Sequence, residues 1–129
     1  MITTLFNLLV IYQLKHFICD YMMQDTYMLG KFNRVGWFKP LAAHSLVHAI
    51  GTFMICIVCT EAIWFSLILA GIDCVIHGVI DKLKVEASRP YDSKTDKEFW
   101  YLLGADQFFH HITHYLIIAS IMSYLYDFN

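Results

Sequence analysis

Histidine and aspartate recur in this sequence three, four and seven residues apart, inside runs that are otherwise apolar. Gln13, His16, Asp20 and Gln24 form one such stripe, and His44 and His48, with Ser45 beside them, form a second. Asp73, His77 and Asp81 make a third; Asp106, Gln107, His110, His111 and His114 make a fourth. Residues three or four apart share one face of a helix, so each stripe is a row of polar groups pointing one way. Neutral imidazole and carboxylate are the ligands of Zn²⁺, Fe and Mn²⁺, and facing helices of a bundle commonly build such sites. Each spaced pair delivers two ligands, or one ligand and the carboxylate that orients it. The expected ligand set is His16, Asp20, His44, His48, His77, Asp81, Asp106, His110 and His114, with His44, His48, His77, Asp81 and His110 at its centre. The expected cofactor is a divalent metal, Zn first, with Fe or Mn as alternatives and room for two ions. Two other uses of the same residues stay open: a hydrogen-bonded polar core, and a proton or ion relay.

The elements that must carry these stripes follow from composition. Of 129 residues, 58% are hydrophobic and only 16% charged, and the mean hydropathy is +0.52. A small soluble domain needs far more polar cover. The formal charge of −2 offers no basic face for a nucleic-acid backbone. These values point to the lipid bilayer as solvent and exclude a soluble globule, a disordered chain and a nucleic-acid binder. Four apolar segments, at about 3–23, 41–60, 62–82 and 100–124, each approach the ~20 residues that cross a bilayer. The fold expected is all-α: a polytopic membrane protein, one domain over 1–129, folded as a four-transmembrane-helix antiparallel bundle. Pro40 suits the first turn of the second helix. Only Cys59-Thr60-Glu61-Ala62 separates the second and third segments, which predicts a tight hairpin. The N-terminal run lacks the basic start and cleavage site of a secretory signal and reads as a retained helix.

Basic residues fix the expected orientation. Lys31, Arg34 and Lys39 lie in the connection at about 24–40, and Lys84, Arg89, Lys94 and Lys97 in that at about 83–99. Both connections should be cytoplasmic, with both termini and the Glu61 turn outside. Trp64, Tyr124 and Tyr126 then mark one interface, Trp37 and Trp100 the other. With helices alternating in direction, Asp20, His44, His77, Asp81, Asp106 and His110 all fall at one depth, in the cytoplasmic half. Lys15 lies near the depth of Asp73, which leaves two expectations open: an intramembrane ion pair between them, or a Lys15 side chain that snorkels to the interface. His111 sits about a hundred degrees round from His110 and ranks below it. The four cysteines read as small buried hydrophobes without disulfides, and Met22 and Met23 as packing residues.

The run His16-x-x-x-Asp20-x-x-x-Gln24, the pair His44-x-x-x-His48, the series Asp73-x-x-x-His77-x-x-x-Asp81-Lys82-Leu83-Lys84 and the string Asp106-Gln107-x-x-His110 together resemble a family. It is a small family of bacterial and phage membrane proteins known as a domain of unknown function (number 3307), and the likeness spans essentially the whole chain. The resemblance implies a compact helical membrane protein and brings no activity; the expected location is the bacterial inner membrane, with the outside termini read from the basic residues lying in the periplasm. A looser likeness is to inner-membrane metal-dependent hydrolases, which also place His and Asp on short membrane helices. His110-His111-x-x-His114 is similar to one histidine box of membrane di-iron desaturases, whose other boxes are missing here. The function expected is a metal-dependent hydrolase of a lipid or a phosphate or ester substrate. Metal-bound water would be the nucleophile and Asp20 or Asp106 the general base. The alternative is a non-enzymatic protein: a transporter or proton conduit, which four thin spans would build as a homo-oligomer, or a phage accessory protein acting on a host membrane complex.

Overall fold

The computed structural model describes residues 2–128, with backbone alone at Phe128; Met1 and Asn129, the ends of the expected domain, lie outside the described residues. Four helices make up the fold: α1 (Ile2–Phe17), α2 (Phe38–Thr60), α3 (Ile63–Ser88) and α4 (Lys97–Phe128). A π turn, Ile18–Met22, extends α1, and a short 3₁₀ turn, Met28–Phe32, lies between α1 and α2. No strand occurs among the described residues.

Three stretches are long and apolar enough to cross a membrane: Ile2–Met22, Phe38–Thr60 and Ile63–Ser88. The outward faces of these helices are apolar, with Phe6, Val58, Trp64 and Val75 all exposed. Such a surface suits lipid and would be unusual in water. The fourth helix runs for 32 residues, and its apolar stretch carries His110, His111 and His114.

α2 and α3 form the expected hairpin. Glu61 takes a left-handed conformation, φ 55°, and its N–H reaches Ile57 O at 3.0 Å, which ends α2. Thr60 Oγ1 donates to Cys56 O at 2.8 Å and accepts the Ala62 N–H at 3.3 Å, so the turn satisfies its own backbone. The helices outrun the apolar segments. α3 continues to Ser88, where Glu86 pairs with Lys82 at 2.5 Å and with Arg89 at 2.7 Å. Charge ends the lipid-compatible stretch of a helix without ending the helix.

The two long connections, one from α1 to α2 and one from α3 to α4, lie at the same end of the bundle, and the Glu61 turn at the other. At the turn end the interior is a dry core of Leu8, Tyr12, Cys56, Leu69, Ile117, Ile118 and Ile121. At the connection end the first connection packs down on the bundle. A Cβ on Gly30 would lie 2.9 Å from Pro40 Cγ, so only glycine permits this approach. Arg89 holds the same segment from above, donating to Phe32 O at 3.2 Å and Asn33 O at 3.3 Å. The expected loop is therefore partly ordered into the fold, and it buries Lys31.

Cys19 and Cys56 are buried, Cys59 and Cys74 partly so, and none is in a disulfide. Met22 and Met23 differ from their expected packing role: they are 70% and 51% exposed. The π turn widens the chain there and points both away from the interior.

Candidate metal centre

Between the dry core and the connections the interior is polar. His44 and His48 come from α2, His77 and Asp81 from α3, His110 from α4, and all five are buried. Asp20 enters from the π turn below α1. Helices often carry such a turn at functional sites, because the wider loop re-aims one side chain. Here it lets one carboxylate reach two helices. Asp20 Oδ1 accepts from His48 Nε2 at 3.0 Å and lies 3.1 Å from His44 Nε2; Asp20 Oδ2 lies 3.0 Å from His16 Nε2.

Two ligand groups overlap in this layer. Asp20, His44, His48 and His77 offer donor atoms that all lie within 4.8 Å of one another, and so do His77, Asp81 and His110. His77 is the shared member. Its ring stacks on His48 at 3.6 Å between centroids on one side and on His110 at 4.3 Å on the other. Around a tetrahedral Zn²⁺, donors at 2.0–2.1 Å sit roughly 3.4 Å apart. The Asp20–His48 and Asp20–His44 separations are already close to that spacing.

Hydrogen bonding leaves much of this donor set unused. Neither ring nitrogen of His77 has a hydrogen-bond partner among the described residues, and the same holds for His44. His44 Nε2 is near Asp20 but out of line for a hydrogen bond. His110 Nε2, 3.4 Å from both Asp81 Oδ1 and Asp106 Oδ1, and Asp106 Oδ1 itself are also unpartnered. Buried polar atoms are nearly always paired, because an unpaired one costs on the order of 1–3 kcal/mol. A cluster of them with lone pairs converging fits a cation.

The remaining expected ligands stand beside these groups. His16 is held between Asp20 and Gln107 Oε1, the latter at 3.1 Å, and so positions the carboxylate. Asp106 accepts from Gln107 Nε2 at 3.1 Å. His114 points toward the core, its ring 5.4 Å from Tyr12 and 5.2 Å from His16. His111 faces outward into a groove between α1 and α4 beside Gln13.

The expected Lys15–Asp73 pair is present at 2.6 Å, and Thr52 Oγ1 donates to the same Asp73 oxygen at 2.6 Å. A second pair was not expected. Lys31 Nζ reaches Asp81 Oδ2 at 2.5 Å, with both side chains under 10% exposed. Asp81 thus gives one oxygen to a lysine and turns the other toward His77 and His110. Lysine in a polar connection reads as a surface charge, and only the fold-back over Gly30 shows otherwise.

The chain is thus an all-helical protein with three helices of membrane-spanning character and a buried His/Asp layer toward its connection end. It belongs to a family described as Protein of unknown function (DUF3307), which it matches over residues 7–128. No curated protein and no solved structure matches it.

Proposed function

We propose that this is a multi-pass protein of the bacterial inner membrane whose His/Asp layer binds a divalent metal, Zn²⁺ first, and that it hydrolyses a lipid or a phosphate or ester substrate at the cytoplasmic leaflet. The observation that carries this reading is His77: a buried imidazole common to two ligand groups, with neither nitrogen hydrogen-bonded. α4 is the fourth span. Its 32 residues cover about 48 Å, more than the ~30 Å hydrocarbon layer, so its charged first turns stand clear of lipid. Orientation rests on Arg34, Lys39, Lys84, Arg89, Lys94 and Lys97, all at the connection end; Lys31 is neutralised by Asp81 and adds little.

A bound metal supplies Lewis-acid polarisation of a phosphoryl or acyl oxygen and acidifies water. The chain's own residues do the rest. His44, His48, His77 and His110 present ring nitrogens, and Asp20 and Asp81 present carboxylate oxygens. His16 and Gln107 hold Asp20 and Asp106, the two candidate bases, in place. Asp20 is the most accessible member, its side chain 16% exposed against 0% for His44 and His48, so it meets an incoming molecule first. A conduit is disfavoured by the packed core of Leu8, Tyr12, Ile118 and Ile121 at the turn end.

The test is elemental analysis of purified protein beside His77→Ala. Wild type should carry near-stoichiometric metal and the variant little, with the fold kept by circular dichroism. Metal-free wild type, or full retention in the variant, overturns the reading.

A further inference from the structure

A polar cavity of about 160 Å³ opens at the connection end, directly over the His/Asp layer. Asp20, Asp81 and Asp106 line it, with Lys31, Lys84 and Gln24. Drug-sized ligands occupy roughly 300–1,000 Å³, so this cavity takes only a small polar group. Beside it, between α3 and α4, runs an apolar groove of about 290 Å³ lined by Ile80, Leu83, Ala87, Leu102 and Phe109. Lys84 and Asp106 line both spaces and form their shared wall. A polar chamber and an apolar groove that share a wall suit a lipid headgroup and its chain.

The charges narrow the headgroup. Lys31 is committed to Asp81, whereas Lys84 has no carboxylate within 4.0 Å among the described residues; its Nζ rests 5.4 Å from the Phe32 ring. Three carboxylates face two ammonium groups, so the chamber carries one net negative charge, and a divalent cation among the ligands reverses the sign. Asp106 is 7% exposed, and its Oδ1, 3.4 Å from His110 Nε2, accepts no hydrogen bond among the described residues, which leaves acceptor capacity in the wall shared by the two spaces. An ammonium beside a carboxylate acceptor suits an anion that also bears a hydroxyl. A phosphate monoester has both; a phosphodiester or a sulfate has the charge without the proton.

We propose that the site takes a lipid phosphate monoester, its phosphate held by Lys84 and Asp106 over the metal and its chain in the α3–α4 groove. This rests on the metal reading above, because without the cation the chamber repels the anion. Lys84 reads the charge, Asp106 reads the P–OH, and the groove confines the substrate to the bilayer.

The experiment measures metal content and lipid binding on the same preparations in nonionic detergent. The probes are short-chain phosphatidic acid, phosphatidylglycerol as the diester, inorganic phosphate and sulfate. Wild type should bind phosphatidic acid at least about tenfold more tightly than the other three, and lose that binding on chelation. Lys84→Gln should weaken phosphatidic acid about tenfold, the worth of one charge-assisted hydrogen bond. Ala87→Trp, at an exposed position on the groove wall six residues beyond Asp81, should fill the groove and weaken phosphatidic acid similarly. Both variants should keep wild-type metal. Metal present with no monoester preference, with inorganic phosphate binding as well as the lipid, or with both variants unaffected overturns this proposal and leaves the metal reading standing. Absence of metal in wild type overturns both, and the elemental analysis identifies that case.

Discussion

At mid-bundle, Lys15 and Thr52 both donate to Asp73 at 2.6 Å, and none of the three leaves a buried polar side-chain atom unpaired. One turn further along α3, His77 is equally buried and has no hydrogen-bond partner among the described residues. Both positions bury polar groups among apolar helices, and burial is costly in each. The difference is completeness. Lys15, Asp73 and Thr52 close on one another, which leaves nothing to offer a ligand. The His/Asp layer keeps convergent lone pairs in hand. A satisfied buried charge belongs to the architecture, whereas an unsatisfied cluster is a candidate site.

The largest effect should come from breaking the satisfied end. Asp73→Asn removes the charge that neutralises Lys15 and leaves an ammonium buried at 5% side-chain exposure. Removing one member of such a pair costs about 3–5 kcal/mol. Denaturation in mild detergent should show that loss, while metal per folded molecule stays at the wild-type value. Lys15→Met with Asp73→Leu should restore most of the stability, since no charge is then left alone. Loss of metal from Asp73→Asn at unchanged stability would break the comparison and move Asp73 into the site.

Lys31 tests the boundary between the two kinds of burial. It satisfies Asp81 as Lys15 satisfies Asp73, yet it lies at the mouth of the layer, where Asp81 still turns an oxygen to His77 and His110. Lys31→Met removes a positive charge beside the proposed ligands, so the affinity for a divalent cation should rise. The expected gain is at least about tenfold: at an effective dielectric near 20 a unit charge and a divalent cation about 7 Å apart repel by roughly 5 kcal/mol, of which solvent screening at the mouth leaves a part. Competition with a metallochromic chelator measures it. A fall in affinity would mean that Lys31 positions Asp81 for the metal rather than competing with it.

Much of this contrast was legible in the sequence. Period-3.6 stripes inside apolar runs reveal which faces turn inward, and antiparallel order places Asp20, His44, His77, Asp81 and His110 in one layer. Depth offered the Lys15–Asp73 pair beside a snorkelling lysine, and the structure shows the pair. What could not be read depends on contacts distant in sequence. Lys31 is buried because Gly30 packs on Pro40 and Arg89 holds Phe32 and Asn33. The π turn at Ile18–Met22 has no period of its own, so the reach of Asp20 to two helices and the exposure of Met22 were both hidden. His114 shares the spacing of His110, but it lies one turn nearer the core, where its neighbours are Tyr12 and His16 rather than carboxylates.

The smallest effect belongs to the dry end. Tyr12 is fully buried, and its hydroxyl meets Cys56 Sγ at 3.7 Å. Sulfur is a weak partner, so the net worth of this contact falls at the low end of the ~0.5–1.5 kcal/mol of ordinary hydrogen bonds. Tyr12→Phe keeps the ring that packs on His114 and in the cluster with Leu8 and Ile118. It should cost about 0.5 kcal/mol or less in a detergent denaturation series and leave metal content unchanged. A larger loss would show that the hydroxyl also supports the charged group next to it, whose Lys15 Nζ lies 5.9 Å from the Tyr12 ring. The dry core and the ion pair would then act as one unit, and the boundary between closed and open burial would run between Asp73 and His77, four residues apart on α3.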